Sequence, residues 1–258
     1  MKAVNFLDFY RSRDGRRALL YQAVALAVSA IALTLVLGDG RVDLGVARWF
    51  FDDTRRSFPL INDWLLKTVL HDGTRMVSAV AALALLGVAV TTWVTRKPRT
   101  LHAHRESLLY VSVATLVGAA IVGLAKHFSS HACPWDLAIF GGSAPYHPLL
   151  AAHAALPNVD GCFPAAHPLA GYAWLAVGFA LYPIARRRAW QAWAVAFVLG
   201  TLFGGVQMAR GAHFLSHVLW SAWIVWGVNV ALLGLACALR EREARAYARS
   251  PRGVRETT

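Results

Sequence analysis

Long apolar runs separated by short charged segments dominate the pattern of this chain. Six of them, at about residues 18–38, 76–95, 108–125, 168–185, 189–208 and 217–239, approach the ~20 residues a helix needs to cross a hydrocarbon core. Only helices or closed barrels satisfy their backbone in lipid. The pattern therefore predicts an all-α integral membrane protein, one six-helix bundle over 1–258 with no internal repeat, low-complexity run or linker to a second domain. The first run follows a basic tail, lacks a small-residue cleavage site and exceeds a signal-peptide core, so it is expected to remain as an anchor.

Composition fits that class, with 57% hydrophobic and only 16% charged residues. The basic residues fall in four places: Lys2, Arg11, Arg13, Arg16 and Arg17; Arg96, Lys97, Arg99 and Arg105; Arg186, Arg187 and Arg188; and Arg240, Arg242, Arg245, Arg249, Arg252 and Arg255. These segments alternate onto one face, so the positive-inside rule makes both termini cytoplasmic, with a tail over 1–17 and a basic tail over 240–258. The net charge of +12, spread along loops, fits topology and anionic headgroups rather than nucleic acid, for which there is no motif. No obligate protein partner is evident.

Residues 39–75 then lie outside the cytoplasm. In FPLINDWLLKTVLHDGTR, Leu60, Ile61, Trp64, Leu65, Val69 and Leu70 keep a rough helical period with charges between, which predicts a helix lying in the interface. Trp49, Phe50 and Phe51 suit headgroup depth. His71 and Asp72 read as an ordinary helix end, with contact to an active site as the alternative.

Polar groups gather at the non-cytoplasmic ends of the spans. Arg210, His213 and His217 stand at i, i+3 and i+7, one face if the stretch is helical, and Gln207 shares it. Lys126 ends the third span, as a snorkelling lysine or a site residue. His167 begins the fourth, between Pro164 and Pro168. Intramembrane and span-end charges of this kind mark function by default. One Lys, one Arg and several His, without a carboxylate pair or a serine elbow, suit phosphoryl transfer: the cations neutralise the equatorial oxygens, one imidazole attacks phosphorus and another protonates the departing oxygen.

These residues resemble the type 2 phosphatidic acid phosphatase superfamily, six-span membrane lipid phosphatases marked by KxxxxxxRP, PSGH and SRxxxxxHxxxD. Here the motifs read Lys126-HFSSHA-Cys133-Pro134, Pro164-Ala165-Ala166-His167 and Gln207-MARGA-His213-FLS-His217, within a core at 108–239. The resemblance implies His213 as the nucleophile forming a phosphohistidine, His167 as the acid for the leaving group, and Lys126 as a phosphate ligand. Cys133, Ala165, Ala166, Gln207 and His217 depart from the motifs. Arg210, one turn closer to His213 than the family's Arg, is the expected replacement clamp, and Asp136 or His217 the expected replacement for the orienting carboxylate. CPWD and RGAHFLSH also resemble a bacterial subgroup of the family. The implied activity is hydrolysis of a lipid phosphate or diphosphate at the outer face of the inner membrane, without metal or organic cofactor. A phosphotransferase with a lipid acceptor, or a non-catalytic lipid-binding or transport relative, is the alternative.

Cys133 and Cys162 both fall in an outside loop, where a disulfide joining the first motif to the second competes with two free thiols; Cys237 lies inside the last span. The i, i+4 pairs His127/His131 and His213/His217 leave a zinc hydrolase open, and histidines from several spans leave a haem protein open. Trp190, Trp193, Trp220 and Trp223 read as interfacial anchors or packing, and Gly118, Gly123, Gly200, Gly204 and Gly205 as sites of close helix approach. His102 and His104 lie in the basic loop, His147 and His153 in the outside loop.

Overall fold

The structure is a computed structural model that describes residues 5–95, 98–151 and 161–248. Lys2, Arg96, Lys97, His153, Arg249, Arg252 and Arg255 lie outside the described residues. Among the described residues the structure is mainly helical and no β-strand forms. A short α1 (Phe6–Arg11) leads into α2 (Arg13–Leu37), each started by a side-chain cap: the Asn5 oxygen accepts from the Leu7 N–H and the Ser12 hydroxyl from that of Gly15. α3 (Arg41–Arg48) follows, then turns to a π-helical stretch Leu65–Gly73 that runs directly into α4 (Thr74–Thr95). Beyond α5 (Arg99–His102) come α6 (Arg105–His127), α7 (Leu169–Tyr172), α8 (Leu175–Leu181), α9 (Arg186–Ala209) and α10 (Leu215–Ala248).

Among the described residues five helical stretches are long and apolar enough to cross a membrane: Arg13–Leu37, Leu65–Thr95, Arg105–His127, Arg186–Ala209 and Leu215–Ala248. The expected fourth span over 168–185 is instead the pair α7–α8, about 20 Å long at 1.5 Å per residue against a ~30 Å core. A turn at Ala173 and Trp174 interrupts it, and it stops at Leu181, one residue past which Tyr182 keeps helical angles and Pro183 brings no N–H to continue the ladder. It still connects the two ends of the bundle. His167 lies at one end, while Phe179 at the other accepts the Tyr10 hydroxyl, and Pro183 and Ile184 share a cavity with Asn5, Phe6 and Arg105.

α10 is the axis of the bundle. Its buried positions Val218, Ala222, Val225, Asn229, Leu233 and Cys237 recur at three- and four-residue steps, and it packs on α2, α6, α7, α8 and α9. Asn229, fully buried on it, is paired on both sides, as lipid demands: Tyr110 donates to its side-chain oxygen at 2.6 Å, and its amide donates to the Val225 carbonyl. Gly171 and Gly200 let α7 and α9 touch backbone to backbone; an added Cβ at Gly171 would meet the Gly200 backbone, and one at Gly200 the Tyr172 ring. Of the other glycines, Gly118 and Gly204 face Val225 and Val218, whereas Gly123 and Gly205 face open space. Trp193 and Trp223 serve packing, their indoles donating to the Leu175 and Leu26 carbonyls.

The 39–75 segment departs from the expected interfacial helix. Its second half is the start of the second span, which begins at Leu65 rather than 76. Phe51 turns inward onto Phe58 and Phe140, and only Trp49, 80% exposed, keeps the disposition of an anchor.

Candidate active site

The stretch that would present one face if it were helical is a turn between two helices, at the gap between the fifth and sixth apolar runs. α9 ends in a Schellman closure: the Gly211 N–H donates to the Met208 carbonyl at 2.9 Å and the Ala212 N–H to the Gln207 carbonyl at 2.8 Å. Gly211 makes the left-handed step, at φ 76°, and the Phe58 ring occupies the place of its missing Cβ. Arg210 is thus the last residue before the break, His213 lies in the turn, and His217 lies in the first turn of α10. All three are buried, at 6%, 6% and 2% exposure. They meet because the chain reverses, not because they share a helix.

Arg210 is held on two sides. Its Nε donates to the Ile61 carbonyl and one terminal nitrogen to the Gln207 side-chain oxygen, both at 3.1 Å. Gln207 therefore orients Arg210 from the position of the family motif's Arg. Burial pushes the Arg210 pKa down, and the Asp72 charge opposes that shift.

The loop carrying His167 lies across the first turn of α10. The Ala165 N–H donates to the His217 carbonyl at 3.1 Å, and the Ser221 hydroxyl donates to the Ala165 carbonyl at 2.6 Å. A disulfide joins Cys133 to Cys162, with Cα atoms 5.2 Å apart, and the Cys162 N–H donates to the His131 carbonyl. His167 itself bonds through Nε2 to the Leu70 carbonyl at 3.1 Å and stacks on His71 with ring centroids 4.3 Å apart. Burial first, then His71, with Arg210 and Arg75 behind it, brings the His167 pKa down to about 4 against the opposing Leu70 bond.

His213 sits 5.8 Å, centroid to centroid, from His217, with the Cys162 carbonyl against both rings. Burial, then the neighbouring His217, Lys126 and His167, hold its pKa well below the ordinary histidine value. The Nδ1 atoms of His167, His213 and His217 are buried without a hydrogen-bond partner.

Lys126, Gln207, Arg210, His167, His213 and His217 are thus brought together. The Asp136 carboxylate accepts from the Trp135 indole at 3.1 Å, and the Trp135 backbone N–H donates to the Gly211 carbonyl of the turn that carries His213. Neither expected i, i+4 histidine pair lies on one helix, because α6 ends at His127 and α10 begins after His213. Among the described residues no three His, Cys, Asp or Glu side chains converge as metal ligands.

One acidic group, Asp43, escapes the sequence reading, and for His71 and Asp72 the structure takes the alternative of contact with the site. Asp43, 3% exposed, accepts both the backbone N–H and the hydroxyl of Ser216, between His213 and His217. It shares with His217, His131 and Tyr146 a cavity of about 20 Å³, room for about one water. Asp72 hydrogen-bonds His71 at 2.8 Å. Nothing in the spacing announces Asp43; His71–Asp72 is visible only as a polar pair before an apolar run.

A helical membrane-type bundle with one lysine, one arginine and neutral imidazoles converging at one end is a site for an anionic group. The chain belongs to the PAP2 superfamily, which matches residues 107–241, just over half of it. That membership places it among phosphatases and phosphotransferases acting on phosphate esters. No curated protein and no solved structure matches the chain.

Proposed function

We propose that this protein hydrolyses a lipid phosphate or diphosphate through a phosphohistidine at His213. The observation that carries the reading is the convergence of His167 and His213, each with a buried, unpartnered imidazole nitrogen, with the cations Arg210 and Lys126. A depressed pKa keeps His213 neutral and nucleophilic at pH 7. In the first step the N–P bond forms as the P–O bond to the lipid breaks, and His167 gives its proton to the departing oxygen. The charge of the bound phosphate offsets the burial that otherwise keeps His167 unprotonated. In the second step water attacks phosphorus, His167 takes the water proton, and the N–P bond breaks. Lys126 and Arg210 neutralise the equatorial oxygens throughout.

The Cys162 carbonyl and His217 take the place of the carboxylate that orients the nucleophile in the family motif. By the basic-loop rule, the end carrying α1, α5 and the Arg186–Arg188 run is cytoplasmic, so the site opens on the outer leaflet of a bacterial inner membrane. A substrate with its phosphate at headgroup level and its chains in the bilayer reaches it there.

The test is phosphate release by purified, detergent-solubilised protein from a panel of lipid monophosphates and diphosphates, with chelator present and an acceptor lipid in a parallel arm. Release that survives chelator and is lost in His213→Ala and His167→Ala supports the reading. Release unaffected by His213→Ala overturns it, and phosphate found only on the acceptor lipid makes the protein a transferase.

A further inference from the structure

We infer that His71, held by Asp72, is a positioning residue for His167, supplied by a part of the chain that the family match does not cover. The inference rests on the phosphatase reading for its catalytic meaning. The family match begins at residue 107, whereas His71 and Asp72 close the π-helical stretch Leu65–Gly73 at the head of the second span. Such π-helical turns recur at functional sites because the extra residue per turn re-aims side chains and carbonyls. Here two consecutive residues meet the same imidazole. The Leu70 carbonyl accepts the Nε2–H of His167 at 3.1 Å, and the His71 ring lies against its face at 4.3 Å and 25°. The first contact selects the tautomer, so Nδ1 is the nitrogen left to carry a transferable proton. The second fixes the ring plane.

His71 is itself fixed. Its Nδ1 donates to the Asp72 carboxylate at 2.8 Å, and Asp72 also acts on Arg210. One short segment thus touches both sides of the phosphate pocket: Asp72 and the Ile61 carbonyl toward Arg210, His71 and the Leu70 carbonyl toward His167. The charged and titratable groups acting on His167 are His71, Arg75 and Arg210, so a charge at His71 opposes a charge at His167.

The experiment compares wild type with His71→Phe, which keeps an aromatic face without charge, His71→Ala, which removes the face, and Asp72→Asn. It has two readouts: kcat and KM on the lipid phosphate that the wild type hydrolyses, and the NMR titration of the His167 imidazole in histidine-labelled protein, assigned with His167→Gln. His71→Ala is expected to lower kcat by on the order of 10- to 100-fold, the scale of a small misplacement of a catalytic group, with KM within about twofold. His71→Phe should retain most of kcat and move the His167 titration to higher pH, and Asp72→Asn should fall between. Wild-type kcat in His71→Ala, or a His167 titration that does not move in His71→Phe, overturns the inference. If no lipid phosphate is hydrolysed by wild type, the phosphatase reading fails. The titration arm still decides whether His71 acts on His167.

Discussion

Asp43 and Ser216, 173 residues apart, are joined by two hydrogen bonds inside the protein, one to the backbone N–H at 2.8 Å and one to the hydroxyl. The carboxylate thus caps from outside the first turn of α10, the turn between His213 and His217, and satisfies an N–H that the helix cannot. Asp43→Ala leaves that buried N–H and the serine hydroxyl unpaired, which should cost about 1–3 kcal/mol and lower the melting temperature in detergent. Asp43→Asn retains an acceptor for the N–H and should lose less. Equal melting temperatures for wild type and Asp43→Ala would show that the contact does not hold the turn.

Acid should destabilise the fold, by a margin set by opposing groups. His167, with a folded pKa of about 4, and His213, well below its ordinary 6.5, bind fewer protons folded than unfolded, so each removes stability as pH falls from 6.5 toward 4. Asp43 works the other way: burial raises its pKa from 3.8 to about 6, so it removes stability as pH rises through that window. The buried imidazoles outnumber the single opposing carboxyl, so the balance runs toward loss of stability in acid. Thermal unfolding between pH 6.5 and 4.5 should show a falling melting temperature, steeper in Asp43→Asn, where the opposing group is gone. A flat or rising profile on acidification contradicts the assignment.

The disulfide should matter to both stability and the site. Closing a loop over a sequence separation of 29 is worth about 3–4 kcal/mol by chain entropy, and Cys162 carries the carbonyl that faces His213 and His217. Alkylation of unreduced, denatured protein should label Cys237 alone, since it is the free cysteine. Cys133→Ser and Cys162→Ser should each lower the melting temperature and phosphate release together. Three labelled thiols in protein from an oxidising compartment would refute this.

What the sequence revealed and what it concealed divide by range. Lys126, His167, Arg210 and His213 each stand at the end of an apolar run, and alternation of the runs sends those ends to one level, so their meeting could be read from hydropathy alone. The gap between the runs at 208 and 217 shows where the helix breaks, but not how it turns. Gly211 sits in a stretch that reads as helical on both sides, and its turn is dictated by the Phe58 ring and the closure bonds of α9. Nor could periodicity pair Asp43 with Ser216 or His71 with His167, contacts between distant segments that leave no repeating signal. The fourth run is apolar enough for a span, but Tyr182-Pro183 and the turn at Trp174 shorten it in ways that hydropathy does not weigh.

Arg210 offers the sharpest test of how this variant site handles charge. Its guanidinium spends one N–H on Ile61 and another on Gln207, which fixes the plane and leaves the remaining donors for a phosphate oxygen. A lysine cannot meet Ile61 and Gln207 at once and still present a charge, so Arg210→Lys should behave nearly as badly as Arg210→Ala. Both are expected to cut kcat by on the order of 100- to 1000-fold, the usual effect of losing one donor to a developing charge. Gln207→Arg restores the family motif's residue but places a second guanidinium against Arg210 inside a buried pocket. It should lower activity in the wild-type background and recover part of it in Arg210→Gln. Steady-state phosphate release from these variants decides this: full activity in Gln207→Arg would mean that position 207 faces the substrate directly, and that Arg210 is not the clamp.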